Sequence, residues 1–161
     1  MNHSNTDQTA IGFSHLGLTP ELLRAVEPVG YEKMTPIQHK SIPIMLTGRD
    51  LAGQAKTGSG KTAAFGLAAL SQVDNSINEP QVLVLCPTRE LASQVMAAIK
   101  SIISDKINIK TALLIGGEAM QKQLRQLGNR SRIIVGTPGR INDHLKRKSL
   151  NLSATKYLVL D

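Results

Sequence analysis

Tryptophan is absent and aromatic residues make up only 2 % of the 161-residue chain. That scarcity excludes a module that reads bases by stacking several of them on an aromatic sheet, so any nucleic-acid contact has to lean on phosphates. A single cysteine, Cys86, leaves no internal disulfide and no multi-thiolate zinc site. Placed at the end of an apolar run, it reads as a small buried hydrophobe. No apolar run approaches the roughly 18 residues of a membrane-spanning helix. The polar stretch 1–10 lacks the apolar centre of a signal peptide and reads as a disordered leader. The protein is therefore expected in the cytoplasm, away from membranes.

What the chain does have is enough apolar residue, 41 %, for one soluble domain with its own core. It carries a formal charge of +7 and a pI near 9.8. Such a balance suits a polyanionic partner, and equally a basic surface that only keeps the protein in solution.

Short apolar runs recur along the chain, each followed by a polar or glycine-containing turn: Leu51–Gly53, Val82–Cys86, Ala112–Ile115, Ile133–Val135 and Tyr157–Leu160. Nearly continuous apolarity predicts strands buried on both faces, hence a parallel sheet covered by helices. The intervening segments supply those helices. Lys61–Val73 is rich in alanine and leucine. Arg89–Ile103 places Leu91, Val95, Ala98 and Ile102 near helical spacing. Met120, Leu124 and Leu127 mark a third helix, with Gly128 offering a left-handed cap, and Ile141–Lys146 a short fourth. The fold class is α/β, with a helical preface over 11–46 ahead of a domain over 47–161. In the preface, Thr19-Pro20-Glu21 and Thr35-Pro36 are helix starts; the first helix should end near Pro28-Val29-Gly30, and Pro43 should kink or end the second.

In such sheets ligands bind beyond the carboxyl ends of the strands. The turn after Leu51–Gly53 reads Ala55-Lys56-Thr57-Gly58-Ser59-Gly60-Lys61-Thr62. A phosphate chain needs a concave row of backbone N–H groups, which Gly58 and Gly60 permit, and the helix N-terminus beyond adds partial positive charge. Lys61 would contact the β and γ phosphates and the Thr62 hydroxyl a Mg²⁺ ion. The usual pattern opens with glycine where this chain has Ala55. An apolar strand ending in Asp161 is a way to hold Mg²⁺ opposite such a loop, although buried strands also end in aspartate for the sake of a turn.

Taken in order, these residues resemble the DEAD-box helicases. Gly30 to Gln38 is similar to that family's Q motif, with Phe13 as its upstream aromatic. Ala55 to Thr62 is the family's form of the phosphate loop, alanine included. Pro87-Thr88-Arg89-Glu90-Leu91-Ala92 resembles motif Ia, Gly116-Gly117 the glycine doublet, and Thr137-Pro138-Gly139-Arg140 motif Ib. Val159-Leu160-Asp161 matches the start of Val-Leu-Asp-Glu-Ala-Asp. The resemblance runs from Phe13 to the last residue.

The resemblance implies a RecA-like, ATP-binding N-terminal lobe that binds ATP with Mg²⁺ and the RNA backbone. It implies that Gln38 reads adenine, Phe13 stacks on it, and Ala55, Lys56, Thr57, Gly58, Ser59, Gly60, Lys61 and Thr62 hold the phosphates. Lys61 and Asp161 become catalytic, and Thr62 and Asp161 hold the Mg²⁺, directly or through water. RNA phosphates fall to Pro87, Thr88, Arg89, Gly116, Gly117, Thr137, Pro138, Gly139 and Arg140. By themselves these residues admit plainer roles: a solvated Gln38, a Phe13 staple on the preface helix, a salt-bridged Arg140, a tight turn at Gly116-Gly117. The cluster Lys146-Arg147-Lys148 reads as a solvated helix end.

The family pattern continues past Asp161 with a glutamate that orients the attacking water, a Ser-Ala-Thr motif, and a second RecA-like lobe bearing arginines. Ser153-Ala154-Thr155 repeats those letters ahead of the aspartate and reads as a coincidence. These 161 residues are accordingly expected to bind nucleotide with little hydrolysis or unwinding. The competing expectations are another P-loop ATPase and a non-catalytic RNA- or partner-binding module.

Overall fold

A computed structural model describes residues 12–26, 33–103 and 107–161. The proposed leader, the end of the first preface helix and Gly30-Tyr31-Glu32 of the Q-motif segment lie outside the described residues. The chain opens with a 3-10 turn, Phe13–Leu16, followed by helices α1 (Pro20–Val26) and α2 (Pro36–Leu46). Helix α3 (Lys61–Ser71) follows the glycine-rich loop. Strands and helices then alternate: β1 (Val82–Leu85), α4 (Arg89–Ile102), β2 (Thr111–Leu114), α5 (Met120–Gly128), β3 (Ile133–Gly136), α6 (Pro138–Lys146) and β4 (Tyr157–Leu160).

The four strands form one sheet in the order β2-β3-β1-β4, with every pairing parallel. Leu114, Gly136, Leu85 and Leu160 share one register row at the carboxyl ends. The next residues along all four strands therefore emerge at one edge. This row is what gathers motif Ia, the glycine doublet, motif Ib and Asp161 on the same side of the sheet.

Burial follows position in the sheet. The central strands β1 and β3 are almost wholly buried, whereas β2 and β4 alternate between covered and open positions. Edge strand β4 leaves Leu158 and Leu160 exposed, so the expectation of burial on both faces fails there. The expected strand Leu51–Gly53 also fails to form. Its residues are exposed and enter no ladder, and an extended segment without a neighbouring strand has no partner for its backbone groups.

The main core joins Phe65, Leu67 and Leu70 of α3, Val95, Met96 and Ile99 of α4, and Val82, Val84, Ile133 and Val135 of the sheet. Preface residues Phe13, Leu18, Leu22, Val26, Ile42 and Met45 belong to the same cluster. A smaller cluster of Leu83, Ala112, Leu114, Ile134, Ile141 and Leu150 fills the opposite face beneath α6. Cys86 is fully buried, as its apolar setting predicts.

Three local expectations are corrected. Helix α2 runs through Pro43 to Leu46, so the proline does not end it; one absent N–H is tolerated in a helix packed against α3. Gly128 stays inside α5, and the positive φ of 60° falls two residues later, on Arg130. Helix α6 also starts earlier than predicted, at Pro138, because proline suits a first helical turn.

Candidate nucleotide and nucleic-acid site

The phosphate-type loop is built by backbone geometry. Gly58 and Gly60 have φ of 76° and 91°, a region where side chains are strained. At Gly60 there is also no room: a Cβ would stand 2.5 Å from the Gln38 amide nitrogen and 3.2 Å from the Thr35 hydroxyl. The loop thus closes tightly over the start of α2 and delivers the chain into α3, whose first-turn N–H groups have no partner within the helix. The Lys61 amine reaches back across the loop to the Ala55 carbonyl oxygen. The Ser59 hydroxyl is buried and has no hydrogen-bond partner among the described residues. An orphaned buried hydroxyl, an arched row of amides and a lysine folded over the arch together fit a phosphate group.

Gln38 fastens α2 to this loop. Thr35 caps α2, its Oγ1 accepting from Gln38 N, while Gln38 Oε1 accepts from Thr35 N at 2.9 Å, a complete capping box. The same carboxamide donates through Nε2 to the Gly60 oxygen at 3.2 Å. The side chain is 0 % exposed, which rules out the solvated helix position as its role. Phe13 is likewise packed, at 4 % exposure, within the main core. A groove of about 330 Å³ lined by His15, Leu16, Met34, His39 and Pro43 opens along the elements that carry Phe13 and Gln38.

At the carboxyl edge of the sheet, Asp161 follows β4, and its N–H donates to Leu85 O. Its carboxylate lies close enough to Cys86 to add to the effect of burial, which pushes that thiol up to about 11. Among the described residues no three His, Cys, Asp or Glu side chains gather into a metal-binding group. A cation here would need phosphate or water oxygens beside Asp161 and Thr62, which is the donor set a magnesium–nucleotide complex brings.

Next along the edge come the segments read as RNA contacts. Thr88 caps α4, accepting from Leu91 N at 3.1 Å, and Pro87, Thr88 and Arg89 are exposed. Thr137 precedes α6 with its hydroxyl free of any cap bond, and Pro138 and Gly139 are exposed beside it. The turn after β2 is met by side chains from the first turns of both α4 and α6. A Cβ on Gly116 would meet the Arg89 guanidinium at 3.1 Å, and one on Gly117 would meet it at 2.7 Å. Arg140 Nη1 donates to Glu118 O at 3.3 Å, and its Nε lies 3.9 Å from Asp143. Arg89 and Arg140 therefore converge on one turn from two helices. The amide groups of Gly116, Gly117 and Glu118 enter no backbone hydrogen bond among the described residues.

The profile of the DEAD/DEAH box helicases matches residues 35–161, which spans the loop, Asp161 and all three edge segments. The chain belongs to the DEAD/DEAH box helicase family. Its RecA-like fold corresponds to the N-terminal lobe of such proteins. It is 50 % identical over 149 residues to "ATP-dependent RNA helicase DeaD" of Buchnera aphidicola, and 45 % identical over the same length to "ATP-dependent RNA helicase CshA" of Listeria monocytogenes. Each match covers 92 % of this chain but only 25 % and 28 % of those relatives. Among solved structures, a DEAD box protein of Methanococcus jannaschii aligns with a TM-score of 0.86 and 43 % identity, over 93 % of this chain and 41 % of that one. The yeast protein Dbp5, solved bound to RNA and ADP BeF3, aligns at 0.82 with 33 % identity, covering 93 % and 38 %. Among the described residues of this DEAD-box lobe, no helix is long and apolar enough to cross a membrane.

Sequence reasoning passed over two residues of the site, Gln123 and His144, both 0 % exposed. A signal was present. Gln123 lies three residues after Met120 and four before Leu127, on the apolar stripe of α5, and His144 lies three after Ile141 on that of α6. A polar residue on an apolar stripe asks for a buried partner.

Proposed function

We propose that this lobe binds ATP with Mg²⁺ through residues 55–62, Gln38 and Asp161, and grips an RNA backbone along the carboxyl edge of the sheet. It would do so as the ATP-binding part of a cytoplasmic ATP-dependent RNA helicase with a second RecA-like lobe. The observation that carries the reading is the hydrogen bond from Gln38 Nε2 to Gly60 O, which ties the adenine-type segment to the phosphate-type loop.

When bound, ATP supplies the phosphoryl group and Mg²⁺ offsets its charge. The chain's own residues do the rest by positioning. Lys61 exchanges the Ala55 carbonyl for phosphate oxygens, and the Ser59 hydroxyl gains a partner. Thr62 and Asp161 hold the cation, directly or through water. A carboxamide has two N–H donors and two acceptor lone pairs. Gln38 spends one of each on Gly60 and Thr35, leaving one of each for adenine. Phe13, packed in the main core at the start of the preface, is the aromatic face proposed to stack on the base.

On the RNA side, the Thr88 and Thr137 hydroxyls, Arg89, Arg140, the amides around Gly116-Gly117 and the starts of α4 and α6 offer donors to phosphate oxygens. Such contacts position a strand without reading its sequence.

Calorimetric titration with Mg-ATP and Mg-GTP tests the reading. Uptake of ATP in preference to GTP is expected. Absence of adenine nucleotide uptake, with RNA binding intact, would leave a non-catalytic RNA-binding module as the function.

A further inference from the structure

We propose that the buried Gln123–His144 pair is a positioning device that locks the Ile115–Glu118 turn to α6, so that Arg89 and Arg140 meet a nucleic-acid backbone as one rigid unit. The inference rests on the reading that this edge faces RNA, and it adds residues that touch no ligand.

The connections are continuous. Gln123 Nε2 donates to Ile115 O at 2.8 Å and, more weakly, to Glu118 O at 3.5 Å, the two carbonyls that flank the glycine doublet. With its nitrogen so committed, its Oε1 faces His144 Nε2 at 3.1 Å, which makes Nε2 the protonated ring nitrogen. His144 Nδ1 then lies as an acceptor 2.9 Å from the Ser149 hydroxyl, whose single proton it shares with His144 O at 3.1 Å. Burial and the Arg140 and Arg147 charges depress the basicity of His144 against the smaller opposing effect of Asp143, so the ring stays a neutral single donor. The groups it meets from other segments, Gln123 and Ser149, carry no charge. Arg140 closes the circuit from the same helix by donating to Glu118 O.

Packing alone does not call for this arrangement. A leucine at position 123 and another apolar side chain at 144 would fill the space between α5 and α6 without desolvating an amide and an imidazole. What the polar pair adds is direction. It turns the carbonyls of Ile115 and Glu118 inward, fixing the backbone on which the Arg89 guanidinium lies.

The test compares Gln123→Met and His144→Leu, which sever the relay, with His144→Gln, which keeps a donor toward Gln123. Affinity for a fluorescein-labelled single-stranded oligouridylate is read by anisotropy, and Mg-ATP affinity by calorimetry on the same samples. We expect RNA affinity to fall about tenfold in the severed variants, the size of one lost charge-assisted contact. Mg-ATP affinity should hold, and His144→Gln should recover most of the loss. Unchanged RNA affinity in folded Gln123→Met and His144→Leu overturns the proposal. So does an equal loss in His144→Gln and His144→Leu, which would mark a packing role only. Should the severed variants not fold, the ¹⁵N signals of the His144 ring in the unaltered chain decide: they move on RNA addition if the turn is coupled to it, and stillness overturns the idea. Failure of the unaltered chain to bind RNA at all, with Mg-ATP bound, sinks the RNA-face reading itself and is a separate outcome.

Discussion

The Arg89 guanidinium lies directly on the backbone of Gly117, so close that a Cβ there would stand 2.7 Å from Nη1. The glycine doublet is therefore a seat for an arginine as much as a turn. Gly117 also has φ of 82°, a left-handed value that costs an alanine about 1–2 kcal/mol. Gly117→Ala should lower the urea midpoint by that amount and displace Arg89, weakening RNA binding in anisotropy titrations. Gly116→Ala, at 3.1 Å and without positive φ, should do less of both. Equal effects at the two positions would contradict the seat.

Gln38 serves a cap and a loop together, so its variants should separate those duties. Gln38→Ala removes the capping-box acceptor and should cost about 1 kcal/mol in urea unfolding. Gln38→Glu keeps an acceptor for Thr35 N but sets a carboxylate against the Gly60 carbonyl. Mg-ATP affinity is expected to fall further in Gln38→Glu than the cap alone predicts, and the preference over GTP should vanish in both.

Among the described residues the Lys61 amine is bound only to the Ala55 carbonyl of its own loop. Lys61→Ala should leave stability within about 0.5 kcal/mol of the parent, as for other partly exposed sites outside the core. Mg-ATP uptake in calorimetry should be abolished while the oligouridylate still binds. Retained uptake would contradict the phosphate role.

His144 makes stability depend on pH. Its basicity in the folded chain lies below the ordinary value of 6.5, chiefly through burial, so the unfolded chain binds the proton more readily. The stabilisation is complete above 6.5 and is lost as pH falls from there through the lowered folded value. Urea midpoints should therefore decline in mildly acid buffer, and His144→Gln should flatten that decline. An identical pH slope in the variant would count against the assignment.

Cys86 offers a probe of opening. With its thiol raised to about 11 by burial and by the Asp161 carboxylate, it should resist a disulfide reagent at neutral pH and react in urea. Fast labelling of the native chain would contradict the buried position.

Most of the architecture could be read along the chain because it rests on local patterns. Apolar runs bounded by turns marked all four strands, and Thr19-Pro20 and Thr35-Pro36 marked helix starts, because capping and periodicity are properties of a few neighbouring residues. Leu51–Gly53 was misread for the complementary reason. Apolarity shows that a segment could pair, but a strand exists only where a neighbour supplies the other half of the ladder. Pro43 does not end the helix, because packing against α3 sustains a segment that local propensity would stop.

The order of residues alone determined which chemical groups this protein owns: a lysine after a glycine arch, a carboxamide after a Thr-Pro cap, arginines after two apolar strands. Only the tertiary structure decided that Gln38 reaches Gly60, that Arg89 rests on Gly117, and that Gln123 and His144 meet inside the lobe. Those pairs are separated by many positions in the chain. Their partners are chosen by strand order and helix packing, which no local run of side chains can encode.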